Sequence, residues 1–212
     1  MDFLKKINYC VIKGSANSGK TTHFLNNDND NFKIIISVFQ NVRKILPLNS
    51  SIVSSVEKNC FKKIVLNINN CEKQVKFLYY NICNNYKISK IIRVINVLNK
   101  KKKIIDILID EIFLFEKESL KKIEKLINYF INCNYFYNLY FTSLTTSWDN
   151  TRLKNTEIVE TYANSFIIIK SYCVYCFIET VHSFTLKETS STIETTKSLY
   201  FPCCIKCKNN FF

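Results

Sequence analysis

Three groups of residues in this 212-residue chain have types and spacings that could do chemistry. The first is Gly14-Ser15-Ala16-Asn17-Ser18-Gly19-Lys20-Thr21, which fits the pattern G-x-x-x-x-G-K-[ST]. In that pattern the glycines let the backbone turn tightly, so that its N–H groups point inward at phosphate oxygens. The lysine brings a positive charge to the β- and γ-phosphates, and the final hydroxyl can ligate Mg²⁺. The chain has 2 Gly, and both stand at the fixed positions of the pattern. Residues 14–22, Thr22 included, therefore read as a nucleoside-triphosphate site of the P-loop kind. The second group is Asp110-Glu111, directly after the apolar run Ile107-Leu108-Ile109. Ligands bind at the carboxyl ends of strands in open α/β sheets, so two acids emerging there suit a magnesium shell and a proton acceptor. A helix N-cap at Asp110 is the plain alternative.

The third group is Cys173-x-x-Cys176 with Cys204-x-x-Cys207. Each pair can grip one side of a tetrahedral ion, and together they close a Cys₄ structural zinc site with no open position for catalysis. Cys203 adjoins Cys204, but only Cys204 gives the second x-x spacing to Cys207. A redox pair or free thiols are the other readings.

These groups need elements to hold them. Residues 7–12 read as a buried strand, the glycine loop follows, and residues 21–25 open a helix. Residues 32–39 form a second strand. This order opens a parallel α/β sheet. Residues 49–68 read as loop and then helix. Residues 69–87, rich in Asn, Tyr and Cys, read as an inserted element. Residues 88–100 and 117–132 carry apolar positions at helical spacing. Residues 104–109, 135–142 and 164–170 read as strands. Composition changes from Ser171 onward, with paired Cys, many Thr and Ser, and Pro202. The expected fold is α/β: a RecA-like parallel sheet with helices on both faces over 1–170, and a small zinc-binding lasso over 171–212.

A hydrophobic content of 47%, with 17 Phe and 12 Tyr, suits a globular core. The longest apolar runs are too short to cross a bilayer. The opening MDFLKKINYC has no apolar stretch of the signal-peptide kind, so a cytoplasmic chain without a membrane partner is expected. The net charge of +13 is spread along the chain rather than gathered in one patch, so nucleic acid is not the expected partner. With no secretion signal, the 10 Cys are not expected to form disulfides.

Taken in order, these landmarks resemble the zinc-containing thymidine kinases of the cellular and poxviral type. The match extends between them. Asn41-Val42-Arg43 stands where the family has Asp-Thr-Arg, and Val53-Ser54-Ser55 resembles its Val-Ser-His. Ala163-Asn164-Ser165 lies at the spacing of its Ala-Glu-Ser, and Tyr200 precedes Cys204 by the family's interval. The resemblance implies transfer of the ATP γ-phosphate to the 5′-hydroxyl of thymidine or another deoxynucleoside. Mg²⁺ would accompany ATP, structural Zn²⁺ would pin the lasso, and the assembly would be a homotetramer. It makes Glu111 the general base, Asp110 the holder of the metal shell, and Arg43 with Lys20 the charge stabilisers. Leu114, Trp148, Ile193 and Tyr200 would wall the base; Trp148 is the only Trp, and a flat base wants a ring to stack on. The departures fall on base recognition. Phe113 replaces a Gln, Asn41 an Asp, Ser55 a His, Thr195-Thr196 a glycine pair and Lys187 an Arg. Thr145-Thr146 stand where the family has an Asp-rich segment, and residues 58–87 are longer than the family's stretch. Two other classes fit the same residues: a non-catalytic nucleotide-binding relative with a regulatory or structural role, and a P-loop ATPase whose zinc ribbon binds nucleic acid.

Overall fold

Runs of β-branched residues form the centre of the fold. In Phe32–Ser37 every residue after the first is buried, and in Ile105–Ile109 all are. Strands buried on both faces are the signature of a parallel sheet covered by helices. The computed structural model describes residues 8–27, 31–37, 61–68, 71–81, 88–100, 104–132, 137–146, 151–184 and 201–211.

In chain order the elements are β1 (Asn8–Gly14), α1 (Lys20–Asn26), β2 (Phe32–Ser37), β3 (Phe61–Ile68), β4 (Cys71–Asn81), α2 (Ile88–Lys100) and β5 (Ile105–Ile109). A 3₁₀ turn (Ile112–Leu114) follows, then α3 (Lys117–Asn132), β6 (Tyr137–Leu144), α4 (Lys154–Glu160) and β7 (Ser165–Ile169). Four short strands, β8 (Ser171–Tyr172), β9 (Glu179–Thr180), β10 (Ser183–Phe184) and β11 (Phe201–Pro202), lead to α5 (Ile205–Phe211). The main sheet has the order β3-β4-β2-β5-β6-β1-β7. It is mostly parallel: β2 pairs in parallel with β4 and β5, and β1 with β7, while β3 joins β4 antiparallel. The chain is thus α/β, with helices packed on a mostly parallel sheet.

Two compact units are present. The first takes in Thr21–Asp110 and Phe115–Tyr140. Within it, α2 packs on β5 and α3 and buries Ile91 and Ile95. Helix α3 buries Leu120, Ile123, Leu126, Ile127 and Phe130, each worth about 1.5–3 kcal/mol on full burial. The Tyr129 hydroxyl donates to Asn96 Oδ1 (2.8 Å) and ties the two helices. The second unit takes in Tyr9–Lys20, Glu111–Leu114 and Phe141–Phe212. It holds the β1–β7 pair and the ladders β8–β9 and β10–β11.

One reading of the sequence needs correction. Residues 61–68 are strand, not helix; residues 49–60 lie outside the described set. Phe61, Ile64, Val65 and Ile68 satisfy the i, i+3, i+4, i+7 pattern, but three of the four are β-branched, and β4 supplies a pairing partner. Within 69–87, where the sequence reading assigns no secondary structure, residues 71–81 are a sheet strand with β2 on one side and β3 on the other. Helix α4 is an addition that the sequence reading lacked.

The first unit also buries an ion pair. Asp106 is fully buried inside β5; its Oδ1 accepts from Asn31 Nδ2 (3.0 Å) and Asn138 Nδ2 (2.7 Å). Lys33 Nζ lies 3.9 Å from Asp106 Oδ2 and donates to the Asn27 carbonyl (3.1 Å). Removing one member strands the other charge in the core. Asp106→Ala is therefore expected to lower unfolding stability by about 3–5 kcal/mol, read as a shifted denaturation midpoint.

Candidate functional site

The glycine loop is shaped by two local constraints. Gly14 ends β1 opposite Ile169 of β7, and any Cβ there would run into the Ile169 carbonyl oxygen and lie 2.6 Å from Ser18 Oγ. Gly19 has φ +83° and Asn17 φ +58°, both in the left-handed region that glycine and asparagine enter most readily. The Ser18 N–H closes the turn on the Ser15 carbonyl (3.3 Å). Lys20 is buried and folds back over the loop. Its ammonium donates to the Ser15 carbonyl (2.6 Å), and the Gly14 carbonyl and Ser18 Oγ stand at 3.4 Å. A phosphate oxygen arriving here would give this ammonium a charge-assisted hydrogen bond, stronger than one to a neutral carbonyl.

The loop is also held from outside. Ser15, fully buried, shares a short hydrogen bond with Ser171, and the Ala16 N–H donates to Ser183 Oγ. Ala16 and Leu114 pack against the buried trio Phe113, Leu144 and Leu153. Phe113 thus lies in an apolar cluster.

In the first unit, Asp110 follows β5, is nearly fully buried, and donates its N–H to the Ile36 carbonyl (2.8 Å). Thr21, in the first turn of α1, donates its hydroxyl to this carboxylate, 3.0 Å from Oδ1 and 3.2 Å from Oδ2. Thr22 is the next residue of that turn and is half-buried. A carboxylate beside a hydroxyl offers hard oxygen ligands of the kind Mg²⁺ takes.

Glu111 belongs to the second unit and has φ +55°, a left-handed backbone on a side chain that gains nothing from it. Its N–H donates to Thr142 Oγ1 (2.8 Å), and its carbonyl accepts from the Leu114 N–H (2.9 Å). Backbone strain of about 1–3 kcal/mol persists only where the surroundings over-determine it, and such outliers gather at working sites.

The cysteines meet. The sulfurs of Cys173, Cys176, Cys204 and Cys207 all lie within 4.8 Å of one another, and Cys176 Sγ is 3.7 Å from Cys204 Sγ. Four thiolates around a tetrahedral Zn²⁺ at about 2.3 Å sit roughly 3.8 Å apart, so the donor set fits. The Phe177 N–H donates to the Cys173 carbonyl (2.9 Å), Phe177 turns left-handed at φ +59°, and the Cys207 N–H donates to Cys204 Sγ (3.4 Å). Burial raises the Cys173 thiol, but hydrogen bonds from the Cys204, Cys176 and Tyr175 backbone and from the Cys176 side chain outweigh it and bring the group to about 6. Cys203 stands outside the set, with its thiol on the Cys204 carbonyl (3.4 Å). Burial first, then the neighbouring cysteines, push it up to about 12.

Arg43, Trp148, Ile193 and Tyr200 lie outside the described residues, as do Asn41, Ser55, Lys187, Thr195 and Thr196. Leu114 is described and half-buried. Thr142, Ser171 and Ser183 are site residues that the sequence did not single out: each is one hydroxyl with no motif around it. No protein-family model matches the chain, and no characterised protein matches its sequence. Among the described residues, no helix is long and apolar enough to cross a membrane.

The cluster predicts a split between adjacent cysteines. Cys204→Ser should lose most of the bound metal, while Cys203→Ser keeps about one ion per chain, as read by elemental analysis with thiol titration.

Proposed function

We propose that this chain is an ATP-dependent deoxynucleoside kinase of the thymidine kinase type. The observation that carries the reading is the hydrogen bond between Thr21 and Asp110. Two motifs found independently in the sequence, 89 residues apart, meet as hydroxyl and carboxylate. In this reading Gly14 to Lys20 hold the triphosphate, with Lys20 exchanging its loop carbonyls for phosphate oxygens. Thr21 and Asp110 are the residues that would hold Mg²⁺, with Thr22 beside them. A bound magnesium ion neutralises charge on the β- and γ-oxygens. Glu111 accepts the proton of the nucleoside 5′-hydroxyl as its oxygen bonds to the γ-phosphorus and the bond to the β,γ-bridging oxygen breaks, releasing ADP. Arg43 and Lys20 stabilise charge on the transferring group.

The four cysteines in this reading hold a structural Zn²⁺ whose closed coordination leaves no place for chemistry. Leu114, Trp148, Ile193 and Tyr200 are the proposed base contacts, thymidine the proposed acceptor and a homotetramer the proposed assembly. Buried Phe113 adds apolar surface where a thymidine kinase has an amide, so the balance among deoxynucleosides is expected to differ. The retained Glu111 carboxylate, on a left-handed backbone, supports an enzyme over a binding subunit, which has no need of a base.

The test is phosphate transfer from Mg–ATP to each deoxynucleoside by zinc-loaded protein. Thymidine 5′-monophosphate is the expected product. Glu111→Gln should lower kcat by roughly 10²–10⁴-fold while the KM for ATP stays close to its original value. Absence of transfer to every deoxynucleoside would overturn the kinase reading.

A further inference from the structure

The glycine loop and the cysteine cluster belong to one compact unit, and a continuous set of hydrogen bonds runs between them. From Ser15 the path passes to Ser171 of β8, two residues before Cys173. Ser171 Oγ donates across the β8–β9 ladder to the Thr180 carbonyl (3.4 Å). A hydroxyl has one proton, so Ser171 must accept from Ser15. Thr180, itself buried, donates its hydroxyl to the Cys203 carbonyl (3.4 Å), one residue from Cys204. The second path starts at Ala16, whose N–H is held by Ser183 of β10; β10 pairs with β11 (Ser183 opposite Pro202), which leads into Cys203 and Cys204. The His182 carbonyl accepts from the Cys203 N–H (3.3 Å) beside it. One path thus reaches the first cysteine pair and both reach the second.

We infer that Ser171 and Ser183 are positioning residues through which the cysteine cluster holds the glycine loop in its phosphate-binding shape. The inference rests on reading Gly14–Thr21 as the phosphate site. Burial decides between an anchor and a ligand. Ser15 is fully enclosed and Ser183 is 3% exposed, so neither hydroxyl is offered to a nucleotide; both are spent fixing the loop from behind. A metal gathering the four sulfurs keeps the ends of both ladders together. Without it the ladders, each only two residues per strand, have little to hold them. The loop would then lose the partner of Ala16 and the support of Ser15. Its phosphate donors, arranged by backbone alone, would no longer be preorganised.

The experiment combines hydrogen exchange with nucleotide binding. Zinc-loaded protein, the same protein stripped by a chelator, Ser183→Ala, Ser183→Thr and Ser171→Ala are compared. Exchange is followed in a peptide covering 14–20, with 32–37 of β2 as the internal control, and Mg–ATP affinity is titrated in parallel. The expected result is exchange roughly tenfold faster at 14–20 in the stripped protein and in Ser183→Ala, with 32–37 unchanged. Mg–ATP affinity should fall roughly tenfold in step, from the part-buried Ala16 N–H left without its partner and the loop it no longer holds. Ser183→Ala should keep its metal, and Ser183→Thr, which retains the hydroxyl, should restore both readouts. Unchanged exchange at 14–20 in both the stripped protein and Ser183→Ala would overturn the coupling, whatever ATP does. Failure of the zinc-loaded protein to bind Mg–ATP would instead overturn the reading of the loop as a phosphate site.

Discussion

Residue 14 has no room for a side chain, and much of the second unit follows from that. The carbonyl of Ile169 on β7 and the hydroxyl of Ser18 close on the place where a Cβ would stand. This lets β1 run in parallel register with β7 up to its last residue and then turn at once. The tight turn places the Ser15 and Gly14 carbonyls where the Lys20 ammonium can reach them. The same turn carries Ser15 and Ala16 against the segment that bears the cysteines. A larger residue would have to push β7 aside or open the turn, and either change would disturb all of these contacts together.

Polar groups in this protein are buried in two different ways. The Asp106 network is fully internal: two amides and an ammonium meet one carboxylate, and the set serves to register β2, β5 and the start of β6. Polar groups at the loop and at Asp110 also meet exchangeable partners, backbone carbonyls at Lys20 and the Thr21 hydroxyl at Asp110. The first arrangement is a locked core. In the proposed reading, the second is where a charged ligand would enter, exchanging its oxygens for hydroxyl and carbonyl partners without breaking the fold.

How much of this was legible in the sequence depended on how far a signal extends. Helices α2 and α3 lie where periodicity placed them, since 13 and 16 residues give several turns of agreement. The strand–loop–helix start and the acids after β5 were legible because each residue type has a specific chemical use. The cysteine pairs were legible by spacing alone. Strand β3 was not, because its eight residues satisfy the helical period as well as a strand; the clue lay in Asn69-Asn70, two turn-prone residues between apolar runs. Helix α4 has seven residues from Lys154, and its N-cap residue Leu153 makes no side-chain cap to announce it. The left-handed backbone of Glu111 was invisible, since nothing in a glutamate advertises such a φ. Nor could isolated serines at 171 and 183 show that they would meet residues 15 and 16.

That backbone at residue 111 also bears on how the chain can change over time. Glycine or asparagine would occupy the same φ with less strain, and a single domain holds only about 5–15 kcal/mol of net stability. Replacement there would relax the fold while deleting the carboxylate. In a lineage no longer using that acid, drift and selection for folding would push the position the same way. Under the kinase reading, residue 111 is therefore a position where loss of that use would leave a mark, whereas the glycine-loop residues are also bound into the architecture.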